Sequence, residues 1–408
     1  VKKKKKERLS PVERRLFLVL GVPSFGLSLA LTVLSTYLPL LARRFTASRT
    51  VIGALVGGEG FVALLVPLWI GGLSDRTDTR FGRRLPYLMA AAPVGAVAIG
   101  AAPFAPSLFV MAWAVFAFYL AYFTYLAPYR ALYADLVPRR AVGRAQGIQG
   151  VFNQAGNGAA LVGGGLLLDL WRPLPYLVAA ATLILCTAVV VPAVGGRGRR
   201  GAPSVAGRRS PPAEVWALVR DDGRIRCFSI ANALVSLSLA GLKTFVVLWL
   251  VEGLGKTMTF TAGAMAVVAA GAVAGGLLAG KLADRYGPAC VAEVALVAFG
   301  LGLWLPAFSS STIVLGAALP VIAFCGGAAV VLPYAVLMRL VRAEHHGSAA
   351  ALFDVSGGVG TLLGPAIAGV AIDALRPLFA STKGYAAMWP VVAVASLGGA
   401  ALIRHARS

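Results

Sequence analysis

Apolar residues recur along the chain in stretches of about 20, separated by short polar gaps. The stretches fall at approximately 16–41, 50–73, 86–104, 107–129, 146–169 and 173–194, then 226–251, 260–281, 289–306, 312–335, 349–373 and 384–403. At a rise of about 1.5 Å per residue each is long enough to cross a hydrocarbon layer of ~30 Å. The glycines and prolines inside them do not argue against helix, because neighbouring membrane helices re-satisfy the backbone. The pattern therefore predicts an all-α, polytopic membrane protein with twelve transmembrane helices. A polar interval rich in Gly, Arg, Pro and Ser separates the sixth stretch from the seventh. The expected organisation is a basic tail over 1–15, a six-helix bundle over 16–194, a central loop over 195–225 and a second six-helix bundle over 226–404. Within the loop, Pro211 to Asp222 reads either as a short helix on the membrane surface or as part of a plain flexible linker.

Composition agrees with lipid as the solvent. Hydrophobic residues make up 58% of the chain and charged residues 13%, against roughly 25% charged in an average soluble domain. The net charge of +22 does not point to nucleic acid, because the basic residues sit in the gaps between spans and form no aromatic-interleaved groove. With both termini placed in the cytoplasm, 30 Lys and Arg lie on the cytoplasmic side and seven outside, as the positive-inside rule requires. Arg43, Arg44 and Arg49 are a local exception. This orientation predicts a multi-pass protein of the cell (inner or plasma) membrane. Lys2 to Lys6 read either as contacts to anionic headgroups or as a solvated tail.

Several chemistries are not expected. Cys186, Cys227, Cys290 and Cys325 are widely spaced in or beside apolar runs, with no CxxC or Cys/His cluster, so neither a metal site nor a disulfide framework is predicted. The first apolar stretch is too long for a signal h-region, and no cleavable signal peptide is expected. No Walker loop and no nucleophile paired with a base is visible. No enzyme activity and no cofactor are predicted.

The chain also resembles itself. GGLSDRTDTRFGRR (Gly71–Arg84) follows the second stretch and GKLADRYGP (Gly280–Pro288) follows the eighth. Gly71, Asp75 and Arg76 align with Gly280, Asp284 and Arg285 at a single offset. PYRALYADLVPRRAVGRAQG (Pro128–Gly147) recurs weakly as PYAVLMRLVRAEHHGSAA (Pro333–Ala350). Two echoes in order, half a chain apart, point to a duplicated six-helix unit, a design of secondary transporters with their site between the halves.

The G-x-L-x-D-R-x-G segments resemble the loop motif of the major facilitator superfamily. The first copy has four extra residues, Thr77 to Arg80. In that form, SDRTDTRFGRRLPY is similar to the sucrose-transporter and glycoside–pentoside–hexuronide:cation symporter branch, as is Arg130-Ala131-Leu132-Tyr133-Ala134-Asp135. The resemblance implies the major facilitator fold, alternating access, a cavity lined by helices 1, 4, 7 and 10, and a glycoside moved with a proton or cation. It also implies that Gly71, Asp75, Arg76, Gly82, Arg83, Arg84, Asp135, Gly280, Asp284 and Arg285 serve conformational switching, with Asp75 near the start of helix 11. Where sodium-coupled melibiose-type relatives carry paired aspartates, this chain has Ala63 and Pro67, so the resemblance does not extend to that sodium site.

Charges at membrane depth are costly, by ~2.5–3.5 kcal/mol or more, and each needs a reason. Glu59 in helix 2 and Lys243 in helix 7 lie at similar depth, one in each half. They are candidates for coupling or gating, approaching when the outer gate closes; a static ion pair or separate solvation in the cavity are the other readings. Asp354 is either a second titratable site or a helix-end group. Arg130, preceded by Tyr119, Tyr122 and Tyr125, is a candidate substrate ligand, since a guanidinium offers five fixed donors and tyrosines suit sugar faces. It reads equally as a partner of Asp135 or as a positive-inside anchor. Asn153 and Asn157 of helix 5, with Asn232 and Ser236 of helix 7, either contact substrate or join helices.

The expected function is secondary active transport of a small glycoside or sugar-like solute with a proton or cation, by a monomer. Export of lipophilic compounds or lipids by the same fold is the alternative, and a non-transporting membrane assembly protein is a second.

Overall fold

The computed structural model describes residues 11–77, 79, 82–137, 141–194, 216, 219–309, 311–342 and 345–407. The lysines Lys2 to Lys6, nearly all of the central interval with its expected surface helix, and the side chains of Asp75 and Arg76 lie outside the described residues.

Among the described residues, twelve long helices carry the fold. They are α1 (Pro11–Ala42), α2 (Arg49–Arg76), α3 (Leu85–Ala101), α4 (Leu108–Leu136), α5 (Val142–Leu170) and α6 (Leu174–Val194). Beyond the central interval come α7 (Gly223–Leu248), α8 (Met258–Tyr286), α9 (Pro288–Gly302), α10 (Thr312–Leu340), α11 (His346–Ala374) and α12 (Met388–Arg407). Eleven are long and apolar enough to cross a membrane, α3 and α9 together with the short helical turns that extend them to Phe104 and Phe308. The exception is α5, which carries Gln146, Gln149, Asn153, Gln154 and Asn157. Those amides are tolerated because α5 lies along α1, where Thr32 donates to Asn157 Oδ1 at 2.7 Å and Asn153 bonds the Ser28 hydroxyl.

Local sequence sets the helix ends. Ser48, Ser107 and Thr257 cap α2, α4 and α8 by accepting from the third residue beyond, and Asp222 caps α7 through the Arg224 N–H. Pro86 and Pro288 sit in the first turns of α3 and α9, where a missing N–H is harmless. Several helices outrun their apolar stretches. The fourth ends at Leu136 rather than near 129, the eighth at Tyr286 rather than 281 and the tenth at Leu340 rather than 335. Hydropathy reports only the hydrocarbon-matched length, and these polar last turns project beyond it. Asp284 and Arg285 are therefore on a helix end and not in a loop.

Packing follows the repeat. In the first half α1 lies against α5 and α6, and α3 against α4 and α6; in the second half α7 lies against α11 and α12, and α10 against α8 and α9. The halves meet most extensively along α2 against α11 and α5 against α8. Between α2 and α11 the backbones nearly touch: a Cβ on Gly53 would collide with the Pro365 carbonyl, and one on Gly57 with that of Leu362. Small residues at such crossings let membrane helices approach closely. The end of the bundle that carries the start of α1 and the end of α12 is termed the terminal face, and the other end the opposite face.

Candidate functional site: a central cavity between two unlike faces

A cavity of about 370 Å³ opens between α1 and α5 on one side and α7, α8 and α10 on the other. Leu239, Leu242 and Val246 of α7 recur at three- and four-residue spacing and present one apolar stripe to it. Val268, Leu319 and Ile322 continue that wall, while Thr32, Thr36, Gln154 and Asn157 give the other side its polar groups. Lys243 projects from the α7 stripe. At the far end Trp249 and Trp389 stack edge to face, 4.8 Å between centroids. Both indoles are buried, and among the described residues neither N–H has an acceptor; the buried Thr36 hydroxyl is likewise unpartnered there.

Glu59 and Lys243 occupy the levels expected of them, each about ten residues, or roughly 15 Å, from the opposite-face end of its helical segment. Each lies within electrostatic reach of the other, and Tyr119 and Tyr122 of α4 are within reach of Glu59. No ion pair or hydrogen bond joins Glu59 to Lys243 in this conformation. Lys243 lines the cavity and Glu59 stands outside its lining.

The opposite face is held by polar latches between the halves. Arg43 Nε donates to both oxygens of Glu252, at 3.0 and 3.1 Å, and Tyr385 donates to Glu252 Oε2 at 2.8 Å. A second latch gathers on Asp373, which accepts from the Ser48 hydroxyl (3.1 Å), the Thr50 hydroxyl and the Thr50 N–H (both 2.9 Å), with Arg49 Nη1 at 3.7 Å. Arg49 also lies over the Tyr385 ring, 5.0 Å from its centroid. Thr259 donates to Asp169 across the α5–α8 seam at 3.0 Å. α7 ends in a wide π-turn, Trp249–Gly253, that carries Glu252; such turns are frequent at functional positions. Sequence reasoning missed these latches. A signal was present: Arg43 and Glu252 are separated by 209 residues, the same offset that aligns Asp75 with Asp284.

On the terminal face one ion pair between the halves is described. Arg130 Nη1 meets Asp354 Oδ2 at 3.4 Å, both side chains well exposed. The pairing of Arg130 with Asp135 does not occur: Asp135 instead holds Arg84 at 3.3 Å, whose Nη1 donates to Ser74 at 2.7 Å. These three residues tie the end of α2, the start of α3 and the end of α4 within the first half. Gly82 takes φ 95°, a left-handed turn just before α3 that favours glycine. Gly71 supplies its carbonyl to Ser74, and Arg83 is half-buried beside that turn. In the second copy of the motif Gly280 lies within α8, Arg285 stacks on Tyr286, and Asp284 is exposed with no partner among the described residues.

The remaining candidates separate into two groups. Asn157 reaches the cavity and Tyr122 lies within electrostatic reach of Glu59. Tyr119 and Tyr125 are buried in helix packing, bonded to the Val56 carbonyl and the Thr187 hydroxyl. Asn232 donates to the Phe353 carbonyl and Ser356, fastening α7 to α11, and Ser236 sits on the same seam against Gly357. Asn153 is spent on Ser28 of α1.

Long apolar helices packed around a cavity between two repeated halves define a multi-pass membrane protein. The family model described as Major Facilitator Superfamily matches residues 20–365 and again 228–406. The chain belongs to the major facilitator superfamily. Among solved structures it is similar to a bacterial homologue of the human lysosomal transporter Spinster, in an inward-facing and unoccupied conformation. That likeness has a TM-score of 0.76 and 17% identity over 98% of each chain. It is also similar to the nucleoside transporter NupG and its D323A mutant; the mutant matches with TM-score 0.78 and 16% identity, over 96% of this chain and 100% of that one. At these identities the likeness is one of fold. No curated protein matches the sequence.

Proposed function

We propose that the chain is a secondary active transporter working by alternating access, with Glu59 and Lys243 as its coupling pair. The observation that carries this reading is the pair itself: an acid and a base at membrane depth, one from each half, within electrostatic reach of each other yet joined by no ion pair. Uncompensated charges at that depth are retained for function. Protonation of Glu59 removes its attraction for Lys243 and so changes the energy of bringing the halves together. The excess of basic residues on the terminal face supports a cytoplasmic placement of both ends in the cell membrane. In that orientation the latched opposite face is external. The loop motif and the turn at Gly82 support a switching role for Asp75, Arg76, Arg83, Arg84, Asp284 and Arg285.

For the solute, the SDRTDTRFGRR segment and Arg130–Asp135 favour a glycoside moved with a proton, as in the branch they resemble. The apolar α7, α8 and α10 wall favours the second reading, movement of a lipophilic compound. Uptake of labelled glycosides into proteoliposomes, with and without an inward proton gradient, separates them. Gradient-driven accumulation supports the glycoside reading, and its absence across the panel moves the weight to apolar solutes. In Glu59→Gln, proton-driven accumulation of whichever solute is carried falls at least tenfold while exchange at equal pH continues. Unchanged pH dependence in that variant removes Glu59 from coupling.

A further inference from the structure

We infer that the cavity takes an amphipathic anion, its head on Lys243 and its tail along the α7–α8–α10 wall. The inference rests on the transport reading only in placing the solute in this cavity.

The hydrogen-bonding capacity left open in the cavity is unbalanced. Both of its side-chain amide oxygens are engaged: Asn157 Oδ1 receives the Thr32 hydroxyl at 2.7 Å, and Gln154 Oε1 receives the Asn157 amide at 3.0 Å. What Lys243 offers is donor alone. Among the described residues its ammonium lines the cavity and has no hydrogen-bond or ion-pair partner. A charge at membrane depth is costly, so a ligand bringing an anionic oxygen gains by satisfying it. The lining contains two lysines, Lys243 and Lys256, and no carboxylate. An amine is repelled there.

A bare sugar also fits poorly, because its hydroxyls are donors as well as acceptors and find few open acceptors. A carboxylate, sulfonate or phosphate head needs donors alone. Apart from Lys243, the α7, α8 and α10 side chains that line the cavity are apolar, so the part of the ligand that lies along them is a hydrocarbon tail or ring. The volume of about 370 Å³ lies within the ~300–1,000 Å³ usual for small organic ligands. An anion on Lys243 replaces Glu59 as the nearest negative charge, which links the site to the coupling pair without requiring Glu59 as a ligand.

The test uses the full chain in phosphatidylcholine nanodiscs and three ligands with one tail: 4-phenylbutyrate, 4-phenylbutanol and 4-phenylbutylamine. Binding is measured by calorimetry at a single pH with no gradient. The carboxylate is expected to bind at least tenfold tighter than the alcohol, with the amine weakest. Lys243→Gln should lose that preference and Lys243→Arg should retain it, with a wild-type-like Tm in the same nanodiscs showing that each variant is folded. Equal binding of the three by the wild-type chain overturns the inference and requires no variant. Preference for the anion surviving in Lys243→Gln overturns it too. Transport failing while anion-selective binding holds removes the coupling reading alone, and glycoside accumulation without anion preference removes this one alone.

Discussion

Arg43 and Glu252 on the opposite face keep less than a quarter of each side chain exposed and share a tyrosine, whereas Arg130 and Asp354 on the terminal face leave well over half of each in the open. The first pair sits where water is scarce and both carboxylate oxygens are engaged, so removing one partner strands a charge, commonly at ~3–5 kcal/mol for a fully buried pair. The second is an exposed ion pair of the kind worth about 0–1 kcal/mol. A second latch on the opposite face gathers on the partly exposed Asp373. These two ion pairs between the halves are thus of unequal strength.

The largest expected effect breaks the strong side. Arg43→Glu sets two carboxylates against each other, and we expect about 2 kcal/mol in favour of the opened opposite face, roughly 30-fold in the ratio of open to closed. Spin labels at Ala47 and Leu378, exposed on the two halves of that face, should report a longer distance. Adding Glu252→Arg should restore the short one, and failure of that swap would show that the latch is not electrostatic. Next, Gly57→Leu drives a side chain into the Leu362 carbonyl. Overpacking of this kind costs ~1–3 kcal/mol, and we expect a broadened label distance together with a lower Tm. A smaller effect follows from Asp373→Asn, which keeps an oxygen for the Thr50 N–H but loses the attraction for Arg49. An opening of about 1 kcal/mol is expected, since the ion pair is long and partly exposed. Smallest of all, Arg130→Gln should shift the same label ratio by less than ~5-fold and should do nothing at high salt, where exposed pairs are screened. If Arg130→Gln matched Arg43→Glu, the contrast between the faces would fall.

Much of this architecture is legible in the chain. Twelve apolar stretches and the echo of Gly71-Asp75-Arg76 in Gly280-Asp284-Arg285 predict the duplicated fold, because membrane helices advertise themselves by length and apolarity. The depth of Glu59 and Lys243 is legible for the same reason. The latches are not, although Arg43, Arg44 and Arg49 stand out as basic residues on the wrong side. Arg43 and Arg49 find their acids, Glu252 and Asp373, in the other half of the chain, and sequence distance hides such partners. Arg130 shows the same limit: its nearby candidate Asp135 turns to Arg84, and its partner comes from α11. Tyr119, Tyr125, Asn153 and Asn232 carry the polar tips expected of ligands, but a polar tip in lipid is equally well used to fasten helices.

The polarity of α5 has a consequence for how the protein is made. A helix with five side-chain amides gains little by entering lipid unaccompanied, since each unpaired amide there forfeits its hydrogen bonds to water. By the time α5 is synthesised, α1 is already in place and presents Ser28 and Thr32 at the positions that Asn153 and Asn157 require. The first helix therefore acts as an escort for the fifth, and the order of elements along the chain doubles as an order of insertion.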